Sequence, residues 1–188
     1  HREFCNTNNL KGRIYISEEG INGTLAGSTE AVHAYEDYLR SQPGFENTEY
    51  KEDFSDSIPF ARMIVKFRPE IVSLRADMEL NPGTEGTGYL SPAQWRQVME
   101  SGEDYVMIDV RNNYESKVGH FEGAILPDLE NFYDFPKWVD ECGIEKDKKV
   151  LMYCTGGIRC EKFSILMRKK GYANVNQLHG GILTYARE

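Results

Sequence analysis

Apolar residues are spaced in two different ways along this chain. In the first third they mark a hairpin and one amphipathic helix. Residues 11–17, Lys-Gly-Arg-Ile-Tyr-Ile-Ser, are β-rich, and Asn22-Gly23 tolerates the positive φ of a tight turn before a second short strand at residues 24–26. Ser28 is placed to cap a helix whose Ala31, Val32, Tyr35, Tyr38 and Leu39 share one face, with Pro43-Gly44 as its stop and a third strand near residues 61–67. Strand, strand, helix, strand is most of a ferredoxin-like plait, so residues 1–68 read as such a domain without its first strand, residues 1–10 being the tail of its first helix. Polarity rises after Pro69, and Asn81-Pro82-Gly83 is followed by Gly86 and Gly88, so residues 69–88 read as a linker. Those glycines are not a dinucleotide fingerprint, because no strand precedes them and no helix opens from them.

From residue 89 the pattern changes to short buried runs alternating with helices. Ser91-Pro92 supplies an N-cap with proline at the first helical position, and Trp95, Val98 and Met99 share a face before Gly102. Residues 105–110 and 150–153 are unbroken apolar runs, the mark of strands covered on both sides. Phe163, Leu166 and Met167 mark a helix ended by Gly171, and residues 175–178 read as a further strand. The alternation predicts a domain over 89–188 with a central parallel sheet and helices on both faces, its ligand site at the carboxyl ends of the strands. The fold class is α/β: a truncated ferredoxin-like (acylphosphatase-like) α+β domain followed by that second domain.

Composition narrows the chemistry. Lys and Arg number 22 against 30 Asp and Glu, a net charge of -8 that disfavours indiscriminate attraction to polyanions, so any nucleic-acid contact has to be a local patch. The four cysteines, Cys5, Cys142, Cys154 and Cys160, show no zinc-ligand spacing and no disulfide framework, which points to reduced thiols, a cytoplasmic location and no metal. No run approaches the roughly 18 apolar residues of a membrane span, and no signal segment opens the chain. The first residue is His1 rather than Met, as in a piece cut from a longer protein.

The sharpest signal is Val150-Leu151-Met152-Tyr153-Cys154-Thr155-Gly156-Gly157-Ile158-Arg159-Cys160, which runs from an apolar strand through a cysteine and a glycine-rich turn into a helix. A free thiol is mostly protonated at neutral pH, so a working cysteine needs positive potential around it. Here the amides of Gly156, Gly157 and Ile158, the dipole of the helix starting near Arg159 and the Arg159 guanidinium all point that way. A structural cysteine in a strand-to-helix turn is the alternative. With four residues between Cys154 and Arg159, the nest suits a single sulfur better than a tetrahedral phosphate, which favours persulfide chemistry over phosphate hydrolysis.

Asp109-Val110-Arg111 with Glu115, then Gly119-His120-Phe121-Glu122-Gly123-Ala124, the cysteine loop and Gly180-Gly181 together resemble a rhodanese domain over about 100 residues. The run Cys-Thr-Gly-Gly-Ile-Arg-Cys-Glu-Lys at 154–162, joined to Ser-Glu-Glu-Gly-Ile-Asn-Gly-Thr-Leu-Ala-Gly at 17–27, is similar to one subgroup, the rhodanese-containing tRNA uridine hydroxylases. That resemblance implies oxygen-dependent conversion of the wobble uridine, in the anticodon region of tRNA, to 5-hydroxyuridine, with molecular oxygen as co-substrate and no organic cofactor or metal. It implies Cys154 as the active cysteine, Thr155, Gly156, Gly157, Ile158 and Arg159 as its anion-binding loop, and Cys160 as the subgroup's second cysteine. It also implies a strand before residue 1 and a cysteine-containing tail after residue 188. The alternative is a sulfurtransferase that takes sulfane sulfur from a donor and carries it as a persulfide on Cys154.

Other residues each carry two readings. Cys160 either resolves a persulfide or disulfide on Cys154 or fills a half-buried helix position. Asp109, Arg111 and Glu115 either touch substrate or hold neighbouring loops by ion pairs. His120 and His179, each beside a glycine, fit turn residues better than a base for Cys154. Residues 18–23 are available to face a tRNA. Lys66, Arg68, Lys162, Arg168, Lys169 and Lys170 are available for phosphate contacts, with Tyr15 and Phe67 for base stacking.

Overall fold

A computed structural model describes residues 1–86 and 88–188, which divide into two compact units, His1–Ile71 and Val72–Glu188. The first unit runs α1 (Arg2–Thr7), β1 (Lys11–Ser17), β2 (Gly20–Ala26), α2 (Thr29–Arg40) and β3 (Met63–Phe67). Its sheet has the order β2-β1-β3, with β1 antiparallel to β2 and parallel to β3. The inward residues Ile14, Ile16, Leu25, Met63 and Val65 meet Cys5 of α1 and Tyr35 and Leu39 of α2 in one core. The Ser28 hydroxyl accepts from the Ala31 amide at 3.3 Å, the cap the sequence predicts.

The hairpin differs from the prediction. Its turn is Glu18-Glu19, and Asn22-Gly23 lie inside β2 opposite Tyr15 and Ile14. Glycine at 23 answers to space rather than to a turn, since a Cβ there would stand 2.4 Å from the Arg13 carbonyl oxygen. The turn is held instead by the Glu19 amide donating to Ser17 Oγ at 3.1 Å and by the Glu19 carboxylate accepting from the Ile71 amide at 2.7 Å.

The second unit runs α3 (Pro82–Glu85), β4 (Tyr89–Leu90), α4 (Pro92–Glu100), β5 (Tyr105–Asp109), α5 (Asn113–Ser116), α6 (Phe135–Glu141), β6 (Lys149–Tyr153), α7 (Ile158–Lys169), β7 (Asn174–Leu178) and α8 (Gly181–Arg187). Its sheet, in the order β4-β7-β6-β5, is parallel throughout. Period-two alternation splits β6 between two cores. Val150, Met152 and the following Cys154 pack with Phe135 and Val139 of α6 and Phe163 and Leu166 of α7, whereas Leu151 and Tyr153 pack with Trp95 of α4 and Ile182 and Tyr185 of α8. The Ser91 cap is a full capping box with Gln94.

Residues 69–88, expected as a linker, divide between the two units at Ile71, with residue 87 outside the described residues. Leu74, with no exposed surface, and Leu80 lie in the core beside α7, and α3 packs on α7. Helix α7 therefore buries Cys160 and every residue from Lys162 to Met167. Polar composition concealed this segment because only a few widely spaced apolar residues anchor it. Replacing Leu74 by Ala should cost about 2–5 kcal/mol in urea unfolding of the second unit, the range for a core truncation, whereas a change in a free linker falls within about 0.5 kcal/mol.

Candidate active site

The carboxyl ends of β5, β6 and β7 converge on the cysteine loop. Strand β6 delivers Cys154, and α7 starts four residues later, so residues 155–157 must turn the chain within a few ångströms of the sulfur. The Gly157 amide donates to Cys154 Sγ at 3.1 Å. The α8 turn braces the loop from outside: the Ile182 amide donates to the Cys154 carbonyl at 2.9 Å and the Leu183 amide to the Thr155 carbonyl at 3.2 Å. That approach requires Gly181, at φ 71°, because a Cβ there would stand 2.6 Å from the Cys154 oxygen and 2.5 Å from the Thr155 oxygen.

Cys154 has no exposed surface, while Thr155, Gly156, Gly157, Ile158 and Arg159 are half-buried above it. A thiolate in so dry a place has to be stabilised by donors, and the Cys160 thiol is the strongest of them. Its S–H donates to the Cys154 sulfur, and together with the Arg159 charge and the amides of Cys160 and Arg159 it outweighs desolvation, holding Cys154 at about 5. Burial, and then the neighbouring thiolate, push Cys160 well above an ordinary thiol, so it stays protonated and keeps donating.

The Arg159 guanidinium favours the thiolate through its charge and makes its hydrogen bonds elsewhere. It is clamped by Glu115, Nη1 donating to Oε2 and Nη2 to Oε1, both at 2.7 Å, and Nη2 also donates to Thr155 Oγ1 at 3.0 Å. Thr155 in turn donates to Glu115 at 2.5 Å. Arg159 therefore reaches the sulfur through its backbone amide and its field, while its side-chain bonds fasten the loop to α5. Burial opposes the ionisation of Glu115, but the bonds from Arg159 and Thr155 bring it down to about 2, so the pair stays charged through the physiological range.

The remaining candidates fall into place around this centre. Asp109, fully buried, accepts from Arg111 Nε at 2.9 Å and Nη2 at 2.7 Å, from Ser116 Oγ at 2.9 Å and from the Tyr153 hydroxyl at 2.9 Å, and Arg111 also donates to the Gly119 carbonyl. Asp109 and Arg111 are thus framework groups that tie β5, β6 and the 116–119 turn together. A ring nitrogen of His120 lies 2.9 Å from the Ser116 carbonyl oxygen, in keeping with a turn residue. Of the supposed phosphate-binding group on α7, Lys162 is buried, Arg168 donates to the Glu85 carbonyl, Lys169 pairs with Glu85 at 2.7 Å and Lys170 with Asp140 at 2.5 Å, so these charges are already engaged.

Sequence reasoning singled out Cys160 as a resolving thiol rather than as a donor, and it missed Glu161. Cys160 acts on Cys154 as a thiol donor, and only its six-residue spacing hinted at contact. Glu161, in the first turn of α7, accepts from the Tyr89 hydroxyl at 2.7 Å; burial, opposed by that bond and one from Gln177 and reinforced by the Cys154 thiolate, raises its carboxyl. Among the described residues no three His, Cys, Asp or Glu side chains converge as a metal site would need.

Ultraviolet titration of thiolate absorbance should show one group with a midpoint near 5 that Cys154→Ala removes. Cys160→Ala should raise that midpoint by about one to two pH units, the worth of one hydrogen bond to an ionised group, and Cys160→Ser, which keeps an O–H, should raise it less. Because folding lowers this thiol below its ordinary 9.0, its stabilising contribution is complete above about 9, shrinks as pH falls and is gone below about 5, a slope that Cys154→Ala should flatten in unfolding measurements across that window.

This architecture has relatives. The rhodanese-like domain family model matches residues 91–188, and the UPF0176 acylphosphatase-like domain model matches residues 1–71. Proteins of Bacillus cereus (strain B4264) and Bacillus anthracis (strain A0248) named tRNA uridine(34) hydroxylase are each 46% identical over 189 residues, covering 100% of this chain and 59% of the relative. This chain thus spans 59% of the length of the curated relatives it matches. Among solved structures, a rhodanese-like domain from Anabaena sp. aligns with a TM-score of 0.46 at 22% identity, over 54% of this chain and 74% of that one. With a strand, a cysteine loop and a helix joined at the carboxyl edge of a parallel sheet, and with a family match over more than half its length, the chain belongs to the rhodanese-like domain family.

Proposed function

We propose that this chain carries the reactive cysteine of an enzyme that hydroxylates the wobble uridine of tRNA to 5-hydroxyuridine, with molecular oxygen as co-substrate, in the cytoplasm. The observation that carries this reading is the 46% identity to tRNA uridine(34) hydroxylases over both units, since a sulfurtransferase reading accounts for the second unit alone. Cys154 is the nucleophile. Cys160, the Gly157 amide and the Arg159 amide hold its negative charge, and the Glu115–Arg159–Thr155 clamp keeps the loop closed over it. Access to the sulfur requires outward movement of residues 155–159, which makes the clamp the element that governs entry.

A donor-rich nest around one sulfur also suits a persulfide, so sulfur transfer is the second reading. The two separate cleanly by experiment. In cells deleted for the full-length gene, mass spectrometry of tRNA should show hydroxylated wobble uridine lost, regained with the wild-type gene and not regained with Cys154→Ser. Unchanged tRNA in the deleted cells would sink the hydroxylase reading. Cyanide-dependent turnover of thiosulfate by the purified protein, lost in Cys154→Ala, would then favour the sulfurtransferase.

A further inference from the structure

We propose that the outward face of the three-stranded sheet in the first unit binds single-stranded RNA, a surface on which Lys11, Arg13, Lys66 and Arg68 take phosphates while Tyr15 takes a base. This rests on the tRNA reading above and deepens it by naming the surface and the form of RNA it suits. The sheet is covered on one side only. Ile14, Ile16, Leu25, Met63 and Val65 turn toward the helices, so the alternate positions Lys11, Arg13 and Tyr15 of β1 turn away, beside Asn22 and Thr24 of β2 and Ile64 and Lys66 of β3. Lys11, Arg13, Lys66 and Arg68 are all exposed.

Charge is the first argument. The three strands, Lys11–Ser17, Gly20–Ala26 and Met63–Phe67, contain no Asp or Glu, in a chain whose net charge is -8. None of the four cations forms an ion pair among the described residues. Elsewhere lysines are neutralised in place, as Lys149 is by Glu103 at 2.6 Å and Lys169 by Glu85 at 2.7 Å. A concentrated, uncompensated positive surface on an acidic protein is a site for a polyanion.

Shape and chemistry choose the polyanion. The Arg68 guanidinium lies over the Tyr15 ring, 5.0 Å from its centroid, and a nucleobase would take that place on the aromatic platform as Arg68 swings out to a phosphate. Register places Tyr15 in one row with Asn22 and Lys66, so a stacked base would have an amide for its edge on one side and a cation for its phosphate on the other. Alternate residues on a strand stand about 7 Å apart, which sets Lys11 and Arg13 along a backbone running beside β1. A flat face with a central ring needs unstacked bases, as found in RNA loops, and offers no groove-spanning element for a duplex. An acidic protein segment would use the charges and leave the ring idle.

The test uses the 188-residue chain and fluorescence anisotropy with three labelled probes: an RNA stem-loop with unpaired uridines, a fully paired RNA duplex and polyglutamate. Wild type should bind the stem-loop most tightly. The double variant Arg13→Glu/Lys66→Glu should weaken that binding more than 10-fold and lower the salt slope by about 0.7 for each phosphate no longer neutralised. Tyr15→Ala should weaken it by about 5- to 150-fold with little effect on the duplex, and Tyr15→Phe should restore it. Circular dichroism melting of each variant verifies that the fold persists. Variants that bind the stem-loop like wild type overturn the assignment of this face and leave the tRNA reading standing. Absence of RNA binding by wild type overturns the assignment of this face, while the tRNA reading is decided separately by the wobble uridines of the deleted cells. Preference for polyglutamate, insensitive to Tyr15, overturns RNA in favour of an acidic protein partner.

Discussion

The buried sulfur of Cys154 organises the cysteine-loop end of the second unit. A thiolate at position 154 is excluded from water, and an ion in that position is untenable without donors that replace its hydration. Every nearby element supplies something toward that requirement. Helix α7 contributes the Cys160 thiol and the amides of its first turn, the loop contributes Gly157, and α8 ties back the Cys154 and Thr155 carbonyls. The parallel sheet matters because its register sets β5, β6 and β7 ends side by side, so these donors approach from different directions.

Around that centre the charges are layered rather than merely placed. Arg159 lies close enough to favour the thiolate, yet its guanidinium bonds are spent on Glu115 and Thr155. Such an arrangement keeps the net charge of the loop small and converts a strong ion pair into a latch between α5 and the cysteine loop. One layer further in, Asp109 gathers Arg111, Ser116 and Tyr153 and fixes the strands that carry the latch. Paired and hydrogen-bonded buried charges of this kind impose geometry more than they add stability.

The two units carry their charges differently. The second unit has most of its lysines neutralised and its cysteine beneath a loop, whereas the first leaves Lys11, Arg13, Lys66 and Arg68 exposed.

Much of this was legible in the residues themselves. The runs at 105–110 and 150–153, the Ser28 and Ser91 caps and the Cys154 to Arg159 spacing are local signals, and they located a parallel sheet and the cysteine loop at its edge because burial and capping act on neighbours in sequence. Tertiary structure decided what depends on distant partners. Asn22-Gly23 became strand because Gly23 faces Arg13 and Ile14 across the hairpin, and Leu74 became core because α7 needed a cover. Arg159 turned to Glu115, 44 positions away, and its sulfur-stabilising role passed largely to Cys160, since only the folded chain sets which donor is nearest to a charge that cannot reach water.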